Sequence, residues 1–120
     1  MAGFSLLELL VAIAIISILA AISIPRFGDF RAAAYDSRCQ QDLRNLAATQ
    51  ELYRVENEQY AKDVDALVTF KPSPGVEITM ESADERSFRA FARHPGAAHD
   101  YRWDNAEQPA MSGTRVNTGE

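Results

Sequence analysis

The chain has 120 residues, with 12 Lys and Arg against 17 Asp and Glu, a formal net charge of −5 and one cysteine, Cys39. This length allows a single domain, the interspersed charges argue against nucleic acid as a partner, and a lone cysteine excludes an intrachain disulfide. Because the sequence has neither a Gly-rich phosphate loop nor a zinc-type Cys/His spacing, we expect no catalytic, cofactor or metal site.

The N-terminal stretch from Phe4 to Ile24 is apolar on every side of a helical wheel and carries one charge, Glu8. At ~1.5 Å rise per residue it makes a helix of roughly 31 Å, long enough to cross the hydrocarbon of a bilayer. A helix without a polar face needs lipid or other protein around it. Pro25 stops this run and Gly28 has low helix propensity, so these two residues predict a weak point or break between two helical halves.

The position of Gly3 is unusual for an exported protein. In an ordinary secretory signal the small residue of the cleavage site follows the apolar region, whereas Gly3 precedes it. The order Gly3-Phe4-Ser5-Leu6-Leu7-Glu8, continued by the apolar residues up to Pro25, resembles the signature of the type IV pilins and pseudopilins.

That resemblance implies processing of the N-terminus. A prepilin peptidase would cut between Gly3 and Phe4, the new amine of Phe4 would be methylated, and residues 1–3 would be the remnant of a leader peptide. Leaders of this family usually carry basic residues, which residues 1–3 lack. We therefore expect basic residues upstream of Met1 in the full precursor.

Glu8 is the main candidate for a role in assembly. A carboxylate at the centre of a bilayer costs about 2.5–3.5 kcal/mol, and less near its edge, so it suggests a partner. After cleavage, the Phe4 amine would lie four residues away on the same helical face. The resemblance implies that Glu8 and the Phe4 amine pair within or between subunits and set the register of assembly; the alternative is that Glu8 is solvated near the headgroups.

Residues 26–57 form a second, amphipathic helical segment. Tyr35, Cys39, Leu43, Leu46 and Tyr53 recur at helical spacing, which predicts one buried stripe. The polar residues Asp42, Arg44 and Gln50 are assigned to the solvated sides, and the helix is expected to end near Asn57. Cys39 on the stripe is interpreted as a buried structural thiol, with a reactive or crosslinking role as the alternative.

Residues 58–120 are expected to form a loop, an antiparallel sheet and an irregular tail. Alternating apolar residues predict strands at 75–81, 87–94 and 99–104, with the tail beginning at Glu107. His94 and His99 are interpreted as solvated loop residues. The predicted fold class is α+β, in which a long N-terminal α-helix, hydrophobic in 4–25 and amphipathic in 26–57, packs on a small antiparallel sheet, as in the pilin fold.

The resemblance implies a structural subunit, the major pilin of a type IV pilus, rather than an enzyme. Its partners would be further copies of itself in a helical filament, the membrane before assembly, the prepilin peptidase and the inner-membrane assembly machinery. Its location would be the bacterial inner membrane as a precursor and then the extracellular pilus, with adhesion or motility as the purpose. The alternatives are a minor pilin or a type II secretion pseudopilin, and a monomeric membrane-anchored binding protein.

Overall fold

The computed structural model describes residues 3–23 and 27–116. The chain divides into two compact units, residues 1–30 and 31–120. The elements in chain order are α1 (Leu6–Ser23), α2 (Phe27–Asn57), a 3-10 turn (Val64–Ala66) and strands β1 (Glu77–Ala83), β2 (Phe88–Arg93), β3 (His99–Asp104) and β4 (Met111–Arg115). The α+β class predicted from the sequence, with helix packed on an antiparallel sheet, is confirmed.

The buried face of α2 is the stripe that the sequence predicts. Cys39, Leu43 and Leu46 are fully buried, while Tyr35 and Tyr53 near the two ends of the stripe are half-buried. The stripe belongs to the same core as Phe88, Ala90 and Ala92 of β2. Since the helical period and the strand period each bring one apolar face to this core, the packing follows directly from the two sequence patterns.

The sheet is antiparallel with the strand order β1-β2-β3-β4. Ala90 on β2 pairs with Met80 on one side and Trp103 on the other, so a small side chain in the middle is flanked by two large ones on the same face. The neighbouring Ala92 pairs with Tyr101. Alternating sizes of this kind fill an interface without voids, because the large side chains cover the small ones.

The fourth strand is a correction to the sequence analysis. The segment from Glu107 onwards was expected to be irregular, yet Met111–Arg115 pairs along β3 from His99 to Trp103. Residues 105–110 make the turn before it, where the Asp104 N–H donates to the Ala110 carbonyl (2.8 Å). The segment Met-Ser-Gly-Thr-Arg has little strand propensity, so its conformation comes from hydrogen bonding to β3.

Gly113 shows why this weak strand can pair closely with β3. A Cβ atom at this position would lie 2.7 Å from Cε1 of Tyr101, and Tyr101 is the residue directly opposite on β3. A glycine therefore leaves the space that the tyrosine ring occupies.

Asp42 and Gln50 are further corrections, because both were assigned to the solvated sides of α2 and both are buried. The Asp42 carboxylate accepts hydrogen bonds from the backbone N–H of Ser73 (2.8 Å) and from its hydroxyl (2.9 Å). The Gln50 amide donates to the carbonyl of Ala61 (2.9 Å) and accepts from the N–H of the same residue (2.8 Å). These two side chains tie the loop after α2 back onto the helix.

His94 and His99 are also not the solvated loop residues that the sequence suggests. The His94 ring stacks on Tyr35 of α2, with ring centroids 3.9 Å apart and planes 13° apart. His99 begins β3 and meets Asp36 twice, through its N–H (3.0 Å) and its Nδ1 (3.1 Å). Both histidines therefore connect the sheet region to α2.

Candidate functional site

The described part of α1 and the residues before it are exposed along their whole length. The large apolar side chains from Leu6 to Ile22 have exposed fractions between 50% and 76%. This segment is the one part of the described chain that is long and apolar enough, by length and composition, to cross a membrane. Eighteen helical residues span roughly 27 Å at ~1.5 Å each.

Glu8 and Ser5 form a reciprocal pair at the start of α1. The Ser5 N–H donates to Oε2 of Glu8 (2.8 Å), and the Glu8 N–H donates to Oγ of Ser5 (3.1 Å). A Ser before the first helical residue and a Glu three positions later make a capping box, which satisfies two backbone donors at a helix N-terminus. The spacing S-x-x-E is visible in the sequence, but our sequence analysis considered only the charge of Glu8 and missed its capping role.

Only one oxygen of the Glu8 carboxylate takes part in the capping box. Within residues 3–23 and 27–116, Oε1 of Glu8 makes no hydrogen bond. This oxygen is therefore available for a cation, and a free amine on Phe4 would be a cation four residues earlier. The side chain of Phe4 is 92% exposed, so it does not obstruct such an approach from the side.

The structure gives no local reason for a glycine at position 3. A Cβ atom on Gly3 would meet nothing within 4 Å, and the same holds for Gly28. A steric role for Gly3 inside this chain is thus missing, which is compatible with recognition by another protein. Gly28 lies inside the first turn of α2, and the helix break predicted at Pro25 lies outside the described residues.

The remaining titratable groups near the core serve packing. Cys39 is fully buried, and burial, followed by the charges of Asp36, Asp42 and Asp100, raises the pKa of its thiol to about 11. A thiol with so high a pKa is a poor nucleophile at neutral pH. No three His, Cys, Asp or Glu side chains of the described ranges are grouped so that they could hold a metal ion.

The outward face of the sheet carries ion pairs that neutralise one another. Arg89 on β2 bonds to Asp104 (2.9 Å) and reaches Glu81 (3.4 Å), while Arg93 pairs with Asp100 (3.2 Å). The backbone N–H of Ala106 and then the Arg89 guanidinium hold the pKa of Asp104 below its usual range. Since these charges are already paired, this face offers no concentrated charge to a ligand.

The comparisons with known proteins agree with the exposed N-terminal helix. Residues 1–24 match the family described as the prokaryotic N-terminal methylation motif. The chain is 37% identical to the type IV wide pilus major component PilA4 of Thermus thermophilus over 97 residues, which cover 78% of this chain and 74% of that protein. It is 38% identical to the type IV major pilin protein PilA of Myxococcus xanthus over 73 residues, which cover 61% of this chain but only 33% of that protein.

The similarity to the Thermus thermophilus protein is longer than the N-terminal motif. An alignment of 97 residues cannot fit in the 24 residues of the motif, so it must include much of the unit that contains the sheet. Motif, fold and this coverage together lead to one conclusion: the chain belongs to the type IV pilin family.

Proposed function

We propose that this chain is the major structural subunit of a type IV pilus, held in the membrane as a precursor and then polymerised into a helical filament. The observation that carries the proposal is the exposure of α1, whose large apolar side chains lack cover on every side. Both relatives are named as major pilins or pilus components, which favours the major subunit over a minor pilin or a pseudopilin.

The energetics of α1 require two successive environments or one. Burying a Leu or Ile side chain contributes about 1.5–3 kcal/mol, so eleven such side chains from Leu6 to Ile22 amount to on the order of 10 kcal/mol or more. Lipid supplies this burial before assembly, and neighbouring α1 helices supply it afterwards. Because lipid tails and leucines are similarly apolar, the transfer from one to the other costs little.

Processing would prepare the N-terminus for this transfer. A prepilin peptidase would cut between Gly3 and Phe4, and the Phe4 amine would then be methylated. A charged amine in apolar surroundings needs a counter-ion, and Oε1 of Glu8 is the nearest carboxylate oxygen in the sequence that its own helix leaves unused. Pairing of Glu8 with the Phe4 amine of a neighbouring subunit would select the axial register, because other registers leave both charges unpaired.

The capping box allows the charge of Glu8 to be tested separately from its helix-capping role. Glu8→Gln keeps an acceptor that can cap the helix but removes the negative charge. Ser5→Ala removes half of the capping box and leaves the charge. If Glu8 pairs with the Phe4 amine, Glu8→Gln lowers the yield of filaments at least tenfold, whereas Ser5→Ala stays within about twofold of wild type.

The measurement is electron microscopy and quantification of sheared surface material from cells that express each variant. Mass spectrometry of the same material should show a mature chain that begins at N-methylated Phe4. Equal filament yields for Glu8→Gln and wild type, with both variants processed and membrane-inserted, would refute the register mechanism. Wild-type protein that is processed but stays as single copies in the membrane would instead support a monomeric anchored binding protein.

A further inference from the structure

An exposed apolar patch lies at the C-terminal end of α2, away from the core that faces the sheet. Its members are Leu52 and Val55, one helical turn apart, and Val68 in the loop, with exposed fractions of 68%, 82% and 92%. Beside them is a cleft of about 270 Å³ between α2 and the segment 66–69. Three large aliphatic side chains exposed together are not needed for the fold of this unit, since its core is closed without them.

The size of the cleft indicates what kind of occupant it fits. Small-molecule sites usually measure about 300–1,000 Å³, so this cleft is below that range and better suited to one or two inserted side chains. A stable two-protein complex buries about 800 Å² on each partner, more than three aliphatic side chains provide. The patch is therefore suited to be one contact among several in a larger repeating interface.

The same chain contains an exposed segment with complementary properties at the other end of α2. Phe27 and Phe30 are 71% and 69% exposed, and their i, i+3 spacing places both rings on one helical face. Arg31 follows directly, whereas Glu56 lines the cleft. In the described ranges, Arg31 and Glu56 are both exposed and neither takes part in an ion pair.

The two ends cannot meet within one molecule. Arg31 and Glu56 lie 25 positions apart on the continuous helix α2, which is roughly 37 Å at ~1.5 Å per residue. A second copy displaced along the helix axis by about that distance would bring its Phe27–Arg31 segment beside the cleft.

We propose that the cleft at the end of α2 binds the Phe27–Arg31 segment of a second copy of this chain, with the Phe30 ring against Leu52, Val55 and Val68 and with Arg31 facing Glu56. This proposal rests on the proposed function, since it assigns one lateral contact inside the filament. The contact joins two different surfaces and does not close on itself, so it repeats as the filament grows.

Cysteine crosslinking tests the contact in assembled filaments. A chain with both Phe30→Cys and Val55→Cys should give a ladder of covalent multimers after mild oxidation, because each copy is joined to the next. The matched control pairs Phe30→Cys with Thr79→Cys, an exposed position on β1, and should give no ladder, as should each single variant. The native Cys39 is buried with no exposed surface, so its contribution to the background is small.

Charge reversal gives a second test that does not depend on cysteine chemistry. Arg31→Glu and Glu56→Arg should each lower filament yield at least fivefold, because each places like charges together, and the double variant should recover at least half of the wild-type yield. The expected ladder or this recovery supports the contact. Wild-type filament yields for both single variants, or a double variant no better than either single one, would overturn it, also where the cysteine variants fail to assemble.

The proposed function and this contact can fail separately. If the wild-type chain forms no filaments, the proposed function fails before this contact is tested. If filaments form from the Phe30→Cys, Val55→Cys chain but only monomers appear on a non-reducing gel, the pilus subunit stands and the contact is wrong. Free access of a bulky maleimide to Val55→Cys in intact filaments would also overturn it.

Discussion

Asp104 illustrates how a single residue at the end of β3 connects backbone, charge and pH. Its side chain is 6% exposed and accepts from both Nε and Nη2 of Arg89 (3.0 and 2.9 Å), and its other oxygen accepts from the N–H of Ala106 (3.0 Å). Hydrogen bonds to an ionised group are stronger than neutral ones. The carboxylate therefore closes the turn after β3 only while it is charged.

Acid should weaken this turn. The pKa of Asp104 is lowered in the folded state, first by the Ala106 N–H and then by Arg89, while an unfolded Asp titrates near about 3.9. A depressed folded pKa means that the stabilisation is complete above the unfolded value and is lost as pH falls through the folded one. We expect the urea midpoint of the wild-type chain in detergent to fall below pH 4 more steeply than that of Asp104→Asn.

The comparison between the two proteins is informative because other acid-sensitive groups remain in both. Asp84 also has a lowered pKa, through the backbone N–H groups of Arg86 and Ser87, so the Asp104→Asn chain keeps some acid sensitivity. Parallel midpoint curves for wild type and Asp104→Asn between pH 2.5 and 7 would contradict a role for the Asp104 charge.

At the scale of elements, α2 acts as the support on which the loop after it is attached. That helix ends at Asn57, where the sequence predicts the end, and the next residue, Glu58, has a φ of 62° with its N–H donating to the Arg54 carbonyl (2.7 Å). A residue in the left-handed region commonly terminates a helix. The loop then returns along α2, and Gln50 and Asp42 bind its backbone at Ala61 and Ser73.

Removing one of these attachments should cost more than an ordinary polar substitution in a helix. Asp42→Ala removes two hydrogen bonds from Ser73 to a buried carboxylate, each of a type worth about 1.5–3 kcal/mol. We expect a loss of about 2–3 kcal/mol in the free energy of unfolding, measured by urea titration of the full chain in detergent.

Arg44→Ala is the matched control for Asp42→Ala. Arg44 lies two residues further along α2, is exposed and has no ion pair among the described residues, so its substitution should change the same free energy by less than about 0.5 kcal/mol. Equal losses for both variants would mean that the Ser73 hydrogen bonds contribute no net stability.

At the scale of the whole molecule, the two compact units have different relations to solvent. Every buried residue of the hydrophobic core lies between Cys39 and Ala92, inside the unit 31–120. The described large apolar side chains of the unit 1–30 are more than half exposed, or about half exposed at Ile13. The second unit can therefore fold around its own core, whereas the first needs lipid or other copies.

Removal of the first unit should separate folding from assembly. A chain that begins at Arg31 is expected to be soluble without detergent and monomeric by light scattering, with cooperative unfolding in urea. The full chain is expected to need detergent or to assemble. Assembly of the shortened chain into filaments under the same conditions would show that α1 is dispensable, and would contradict its proposed place at the filament core.

Much of this molecule follows from the sequence by itself. The all-round apolar run before Pro25, the stripe Cys39–Leu43–Leu46 and the alternation in 99–104 are local periodic patterns, and each period specifies which face must leave water. The N-terminal motif likewise identifies the family without coordinates, because its glycine, phenylalanine and glutamate are adjacent in the chain.

The tertiary structure alone decided the features that depend on residues far apart in the chain. Strand β4 has weak propensity and forms because β3 offers unpaired backbone groups beside it. Asp42 and Gln50 look solvated in the helical pattern, yet their partners lie 31 and 11 residues further on, at distances that no local period encodes. A polar side chain is buried only where a partner satisfies it, and the position of that partner is a property of the folded chain.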